Sequence, residues 1–190
     1  IWSNLLYGHQ LHIVSSEILQ DTILMQNFIK RHNINKLYLP AALLKIHTPW
    51  LSNIVTIEQL LTGVEPLEYF YINKLFNINQ IINGYGPTET CVCSTYFKAK
   101  TPQQDHAIIP LGKPINNTQA YVLDKNLTIL PIGAIGELYI GGASVTRGYL
   151  NNPTLTEKNY IPNPFQTIEE KHENKNDRLT KLQLAIKLNK

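Results

Sequence analysis

The sequence predicts an α/β fold: a parallel sheet built from βα units, followed by a mostly β subdomain. Two patterns point there. From Leu11 to Asn83 short apolar runs alternate with longer stretches of helical periodicity, as consecutive βα units require. After Thr95 that periodicity fades, and strand-like runs lie between Gly, Pro and Asn turns. With 190 residues, 43% of them hydrophobic, the chain is too apolar for disorder and long enough to bury a core as one domain or two small ones. The expected organisation is an α/β part over residues 1–95, a β-rich part of the same core over 96–165, and a charged divergent tail over 166–190.

Taken in order, Leu11-His12-Ile13-Val14 suits a first strand. Asp21 can cap a helix carrying Ile23, Leu24, Phe28 and Ile29 at helical spacing. Leu37-Tyr38-Leu39, stopped by Pro40, suits the next strand, and the cycle then repeats. Leu60 and Leu61 end a third apolar run at Thr62-Gly63, Pro66 fits the first turn of a helix reaching Phe76, and Ile78 to Ile82 forms a fourth strand. Ligands of open parallel sheets gather beyond the carboxyl ends of the strands, so Gly84 to Glu89 is the first candidate site. In the second half, Ala120–Leu123 and Glu137–Ile140 read as strands. From Gln166 to Lys190, ten of 25 residues are charged, and the apolar spacing from Leu179 to Leu188 fits a solvated helix or a foreign sequence.

Several function classes fall away. The net charge is +3, and the basic residues are scattered, without the patch that binding a phosphate backbone needs; no nucleic acid is expected. The longest apolar runs, such as Leu37–Leu44, are far too short to cross a bilayer, so no membrane is expected. The opening Ile-Trp-Ser-Asn carries no targeting signal and reads as a cut within a longer chain. Cys91 and Cys93 are too close to staple a fold and too few for a closed zinc site, which suits reduced thiols in a cytoplasmic protein. If their segment is a strand they share one face. The six histidines show no ligand spacing, and the acceptor triplets at Asn116 and Asn126 are coincidences without a secretory signal. Gly112-Lys113-Pro114 lacks the spacing of a phosphate-binding P-loop, and no Gly-x-Gly-x-x-Gly follows a strand, which removes ordinary kinase and dehydrogenase readings.

Chemistry concentrates in Asn83-Gly84-Tyr85-Gly86-Pro87-Thr88-Glu89-Thr90. An aromatic ring can stack on a base, an amide can read a base edge, a threonine hydroxyl can bond a phosphate oxygen and a glutamate can hold Mg²⁺. The same residues also spell a tight Gly-Pro turn before a helix start, and spacing alone does not choose. A second motif runs Gly136-Glu137-Leu138-Tyr139-Ile140-Gly141-Gly142 and then Val145-Thr146-Arg147-Gly148-Tyr149-Leu150. Alone it describes a hairpin or a barrel edge.

Together the two motifs resemble the adenylate-forming enzymes, and within them the adenylation domains of nonribosomal peptide synthetases. That branch carries Asn-x-Tyr-Gly-Pro-Thr-Glu, then Gly-Glu-Leu-x-Ile-x-Gly-x-x-Val-Ala-Arg-Gly-Tyr-Leu, then Pro-x-Leu-Thr and Ile-Pro-Asn-Pro-Phe. Here they stand at Asn83–Glu89, Gly136–Leu150, Pro153–Thr156 and Ile161–Phe165, with Thr146 in place of the usual alanine. The likeness covers roughly residues 1–178. It implies ATP-dependent activation of a carboxylate to an acyl-adenylate, with Mg²⁺ as cofactor. By that resemblance Asn83 contacts the adenine edge, Gly84 lets the nucleotide approach, Tyr85 stacks on the ring, Thr88 bonds the phosphate and Glu89 holds Mg²⁺. Tyr38, Leu61, Gly63, Gly84, Val92 and Cys93 would line the acyl pocket. Such an apolar set suits a neutral, aliphatic amino acid, since a charged side chain would lack a partner; core packing is the plainer reading of each position.

The resemblance further implies a neighbouring carrier-protein domain bearing phosphopantetheine. The family's glycine-rich phosphate loop and its lysine-bearing small domain match nothing in the 190 residues. Nor does its Arg-Leu-Tyr-Lys-Thr-Gly-Asp-Leu, whose aspartate holds the ribose, because Arg178-Leu179 is followed by Thr180-Lys181-Leu182. The expectation is an interrupted reading frame and a fragment inactive by itself. Two other readings stay open: a fragment of an acyl-CoA or aryl-acid ligase, and a noncatalytic remnant or interaction module.

Overall fold

The computed structural model describes residues 2–63, 65–166 and 178–187. The expectations for 167–177 and 188–190, His172 included, lie outside them. The described residues form two compact units, one of residues 1–81 with 99–108, the other of 82–98 with 109–190.

Helices open the first unit: α1 (Trp2–Leu6), α2 (Ser16–Gln20) and α3 (Thr22–Arg31). Asp21 serves two of them. Its N–H closes α2 on the Glu17 carbonyl, and its Oδ1 accepts from the N–H groups of Ile23 and Leu24, both at 2.8 Å, capping α3 as the sequence predicts. Of the apolar residues read on this helix, Ile29 faces the core and Ile23 does not. Met25 and Ile29 are buried, whereas Ile23 is 67% exposed. No strand forms at Leu11–Val14. No described strand pairs with that segment; instead the His12 ring lies against Phe28 on α3 and His32 at its C-cap, at 6.2 and 4.8 Å between centroids.

A βαβ unit follows. Strand β1 (Lys36–Tyr38) pairs in parallel with β2 (Gln59–Gly63), setting Leu37 beside Leu60 and Tyr38 beside Leu61. Between them α4 (Ala41–Leu51) buries Ala41, Leu44, His47, Thr48 and Leu51. The helix predicted from Pro66 to Phe76 shrinks to α5 (Tyr69–Asn73), because both its flanks are tied to the segment 103–108. Glu68 bridges Ile108, Tyr69 N–H donates to the Ala107 carbonyl at 2.8 Å, and Asn73 Nδ2 donates to the Gln103 carbonyl at 2.8 Å.

Strands β3 (Gln80–Tyr85), β4 (Thr95–Ala99) and β5 (Lys113–Pro114) complete the first sheet, in the order β1-β2-β3-β4-β5. Parallel at β1–β2 and antiparallel at β4–β5, it is a mixed sheet with helices, the α/β class the periodicity predicts. Strand β3 continues to Tyr85, three residues beyond the predicted end, so Asn83, Gly84 and Tyr85 are strand residues and the loop starts at Gly86.

The second sheet is antiparallel: β6 (Thr118–Leu123), β7 (Ile135–Gly142), β8 (Tyr160–Pro162) and β9 (Arg178–Lys187), in the order β6-β7-β9-β8. Alternation along β6 and β7 makes two clusters, Val122 with Leu138 and Ile140, and Leu123 with Tyr139 and Leu179. The tail is therefore a strand from Arg178 to Lys187 and not a helix. Its backbone is claimed from both sides, pairing antiparallel with β7 and with β8. Helix α6 (Pro153–Asn159), capped by Asn152, precedes β8. Among the described residues no helix is long and apolar enough to cross a membrane.

Candidate functional site

The motif residues gather in the second unit, where β3 runs into a closed loop. Asn83 is buried, and its Nδ2 donates to the Pro110 carbonyl at 3.0 Å. That bond fixes the amide and leaves Oδ1 as an acceptor that no described residue uses. Two residues on, and so on the same face, Tyr85 packs against the Val122–Leu138–Ile140 cluster; burial pushes its phenol pKa up.

At Gly86 the returning chain crosses the strand end. Ser94 N–H donates to the Tyr85 carbonyl at 2.7 Å, and a Cβ on Gly86 would sit 2.6 Å from that nitrogen and 2.8 Å from the Val92 carbonyl oxygen. Only glycine fits. The Pro87 carbonyl then accepts from Thr90 and Val92 N–H at 3.0 and 3.1 Å, closing a 3-10 turn over Thr88–Thr90. Underneath, Ser94 Oγ donates to Thr90 Oγ1 at 2.5 Å, both side chains fully buried. Cys91 and Val92 take positive φ of 59° and 75°, costly for residues with a Cβ and upheld by the surrounding bonds. The stretch from Cys91 to Cys93 is thus a turn, and the shared strand face expected for the two cysteines is not formed. Cys93 Sγ faces the Thr95 carbonyl at 3.7 Å, and burial raises its pKa.

This loop leaves Thr88 exposed and Glu89 half-buried. Glu89 is gripped twice from the second motif: its carbonyl accepts from Thr146 N–H at 2.9 Å, and its Oε1 accepts from the Tyr149 hydroxyl at 2.5 Å. That bond, then burial, then the carboxylate charge push the Tyr149 pKa up to about 12. Tyr149 is itself held. Its N–H donates to Thr156 Oγ1 at 2.9 Å, and Thr156 Oγ1 donates in turn to the Asn152 carbonyl at 2.9 Å. The Tyr160 ring meets the Tyr149 ring edge-on at 5.7 Å, and the Tyr160 hydroxyl bonds Thr146 Oγ1 at 2.7 Å, so the hydroxyl that replaces the usual alanine methyl has a partner.

The sequence points to roles for Asn83, Gly84, Tyr85, Thr88 and Glu89 but to none for Tyr149, Thr156 or Tyr160. The first two were legible only as letters of the Arg-Gly-Tyr-Leu and Pro-Thr-Leu-Thr runs. The six acyl-pocket candidates fall into two groups. In the first unit Tyr38 and Leu61 are exposed register partners, and buried Gly63 ends β2 at φ 142°. In the second, Gly84 lies on β3 while exposed Val92 and half-buried Cys93 belong to the loop.

A Mg²⁺ ion fits this donor set. It takes hard oxygen ligands, commonly one or two carboxylates completed by phosphate oxygens and water. Glu89 offers one carboxylate with Oε2 unbonded among the described residues, and no group of three or more His, Cys, Asp or Glu competes for a metal there.

The family model for AMP-binding enzymes matches residues 1–150. Malpibaldin synthetase of Mortierella alpina is 36% identical over 170 residues, covering 87% of this chain and 3% of the relative. Tyrocidine synthase 1 of Brevibacillus parabrevis is 35% identical over 161 residues, covering 85% of this chain and 15% of the relative. The chain thus spans a small part of the curated relatives it matches. Among solved structures, a four-domain holo nonribosomal peptide synthetase bound to AMP and glycine superposes with a TM-score of 0.84 at 30% identity, covering 97% of this chain and 13% of that one. The N-terminal subdomain of Klebsiella oxytoca NpsA, 20% identical with a TM-score of 0.81, shares the fold over 100% of this chain and 47% of its own.

Proposed function

The chain belongs to the AMP-binding enzyme family, with its likeness to the adenylation domains of nonribosomal peptide synthetases, and from that premise we propose that it supplies the adenine and cation half of an amino-acid-activating site. The observation that carries this reading is the closed Gly86–Ser94 loop, which presents Thr88 and Glu89 beside a strand carrying Asn83 and Tyr85. In the reaction a substrate carboxylate oxygen bonds the α-phosphorus of ATP as the bond to pyrophosphate breaks. Asn83 Oδ1 accepts from the adenine amino group, Tyr85 stacks on the ring, and the exposed Thr88 hydroxyl donates to a phosphate oxygen. Glu89 holds Mg²⁺, which when bound neutralises charge on the phosphate oxygens.

The substrate is an amino acid, a reading supported by the four-domain neighbour's being bound to AMP and glycine. The apolar make-up of Tyr38, Leu61, Gly63, Gly84, Val92 and Cys93 favours a neutral, aliphatic one. The product passes to a carrier-protein domain bearing phosphopantetheine. The test is calorimetric titration of the chain with AMP. Binding that Tyr85→Ala weakens about tenfold, the loss of one base-stacking contact, supports the reading; binding indifferent to Tyr85 overturns it. Because the 190 residues contain no Gly/Ser/Thr-rich phosphate loop and no Thr-Gly-Asp-Leu, amino-acid-dependent pyrophosphate exchange by the chain alone is expected to be absent, and an observed exchange would refute that part.

A further inference from the structure

We propose that Tyr149 is a positioning residue for cation binding: its hydroxyl fixes the Glu89 carboxylate through Oε1 so that Oε2 is the atom offered to the metal. The inference rests on the reading of Glu89 as the cation ligand and deepens it.

Four observations carry it. The Tyr149 hydroxyl is bonded to Oε1 across 60 residues of sequence, and among the described residues Oε2 has no partner. The backbone of Glu89 is tied to the same segment by Thr146 N–H at 2.9 Å, so both ends of the residue are set by residues 146–149. The Tyr149 backbone is anchored on α6 through Thr156 Oγ1, and a Cβ at Gly148, where φ is 133°, would lie 2.4 Å from Thr156 Cγ2, so only glycine lets the two segments meet this closely. The Tyr149 ring is steadied by the edge-on Tyr160 ring, whose own hydroxyl is held at 2.7 Å by Thr146. Glutamate is a long side chain with freely turning torsions. A carboxylate held at one oxygen before the metal arrives needs no reordering when it binds, as preorganised ligands require.

The experiment measures the affinity of the full chain for ATP with Mg²⁺ and for ATP in EDTA, and takes the ratio of the two. Metal-free ATP serves as an internal control, because general damage to the fold lowers both affinities. The expected result is a ratio favouring Mg²⁺ in the wild type that falls at least threefold in Tyr149→Phe, with the metal-free affinity unchanged within twofold. It is lost in Glu89→Gln, and adding Tyr149→Phe to Glu89→Gln changes nothing further. Thr156→Val, which removes the anchor of Tyr149, lowers the ratio in the same direction, and Thr156→Ser keeps it. A Tyr149→Phe ratio equal to or above the wild type, while Glu89→Gln loses it, overturns the positioning role and leaves the Glu89 reading standing. A ratio unaffected by Glu89→Gln overturns both. A parallel fall of both affinities in Tyr149→Phe assigns the tyrosine to the fold and overturns the proposal.

Discussion

At Gly86 a single hydrogen atom in place of a methyl group decides whether the loop closes. The Ser94 nitrogen and the Val92 carbonyl already stand where a Cβ would go, and both are backbone atoms that a rotamer change cannot move. Gly86→Ala is therefore expected to cost about 1–3 kcal/mol, the range for forcing atoms into a packed site, read as a lower urea midpoint. The two thiols differ for a related reason. Cys91 is exposed, while Cys93 is half-buried and its pKa is raised by burial, which shrinks its thiolate fraction near neutrality. Alkylation at pH 8 followed by peptide mapping should label Cys91 several-fold faster than Cys93, and raising the pH should narrow the gap. Residue types were legible at this scale, since each carries its chemistry in any context. What Tyr149 does was not, because its partner lies 60 residues away and no local spacing encodes that meeting.

Among the elements, those with a local cause were readable and those with a distant cause were not. Asp21, read as a cap from its place before a helical run, caps α3 through two bonds to its backbone. Asp21→Ala should destabilise the chain by about 1 kcal/mol and Asp21→Asn by less, measured by urea denaturation, as asparagine still offers an acceptor. The helix after Pro66 shows the opposite case. Its residues have helical spacing, yet Glu68, Tyr69 and Asn73 are claimed by the segment 103–108, and one and a half turns survive. The run Leu11–Val14 pairs with no described strand, and its His12 ring lies instead against Phe28 and His32. At the tail two periods competed over ten residues; the neighbouring edges of β7 and β8 settled the choice in favour of a strand. Extension of β3 to Tyr85 had the same kind of cause: the Ser94 N–H holds the Tyr85 carbonyl, and that contact could not be seen in the run Ile78–Ile82.

On the scale of the whole molecule, α/β periodicity followed by β alternation was enough to give the class, because both follow from which faces must be buried. The partition into units was not visible, since it depends on contacts between segments far apart in sequence. Leu179 illustrates the stakes. It is fully buried with Leu123 and Tyr139, on a strand lying between β7 and β8. Leu179→Ala is expected to cost about 2–5 kcal/mol, read by far-ultraviolet circular dichroism in urea, a loss that a solvated tail residue would not show.

Each unit is also discontinuous, and this bears on how the chain is made. A ribosome delivers residues 82–98, which belong to the second unit, before residues 99–108, which belong to the first. At about 5–20 residues per second the first unit waits roughly one to five seconds for the segment whose Ala107 and Gln103 carbonyls receive Tyr69 and Asn73. During synthesis the part begun first is thus completed out of turn, after the next has already started to emerge.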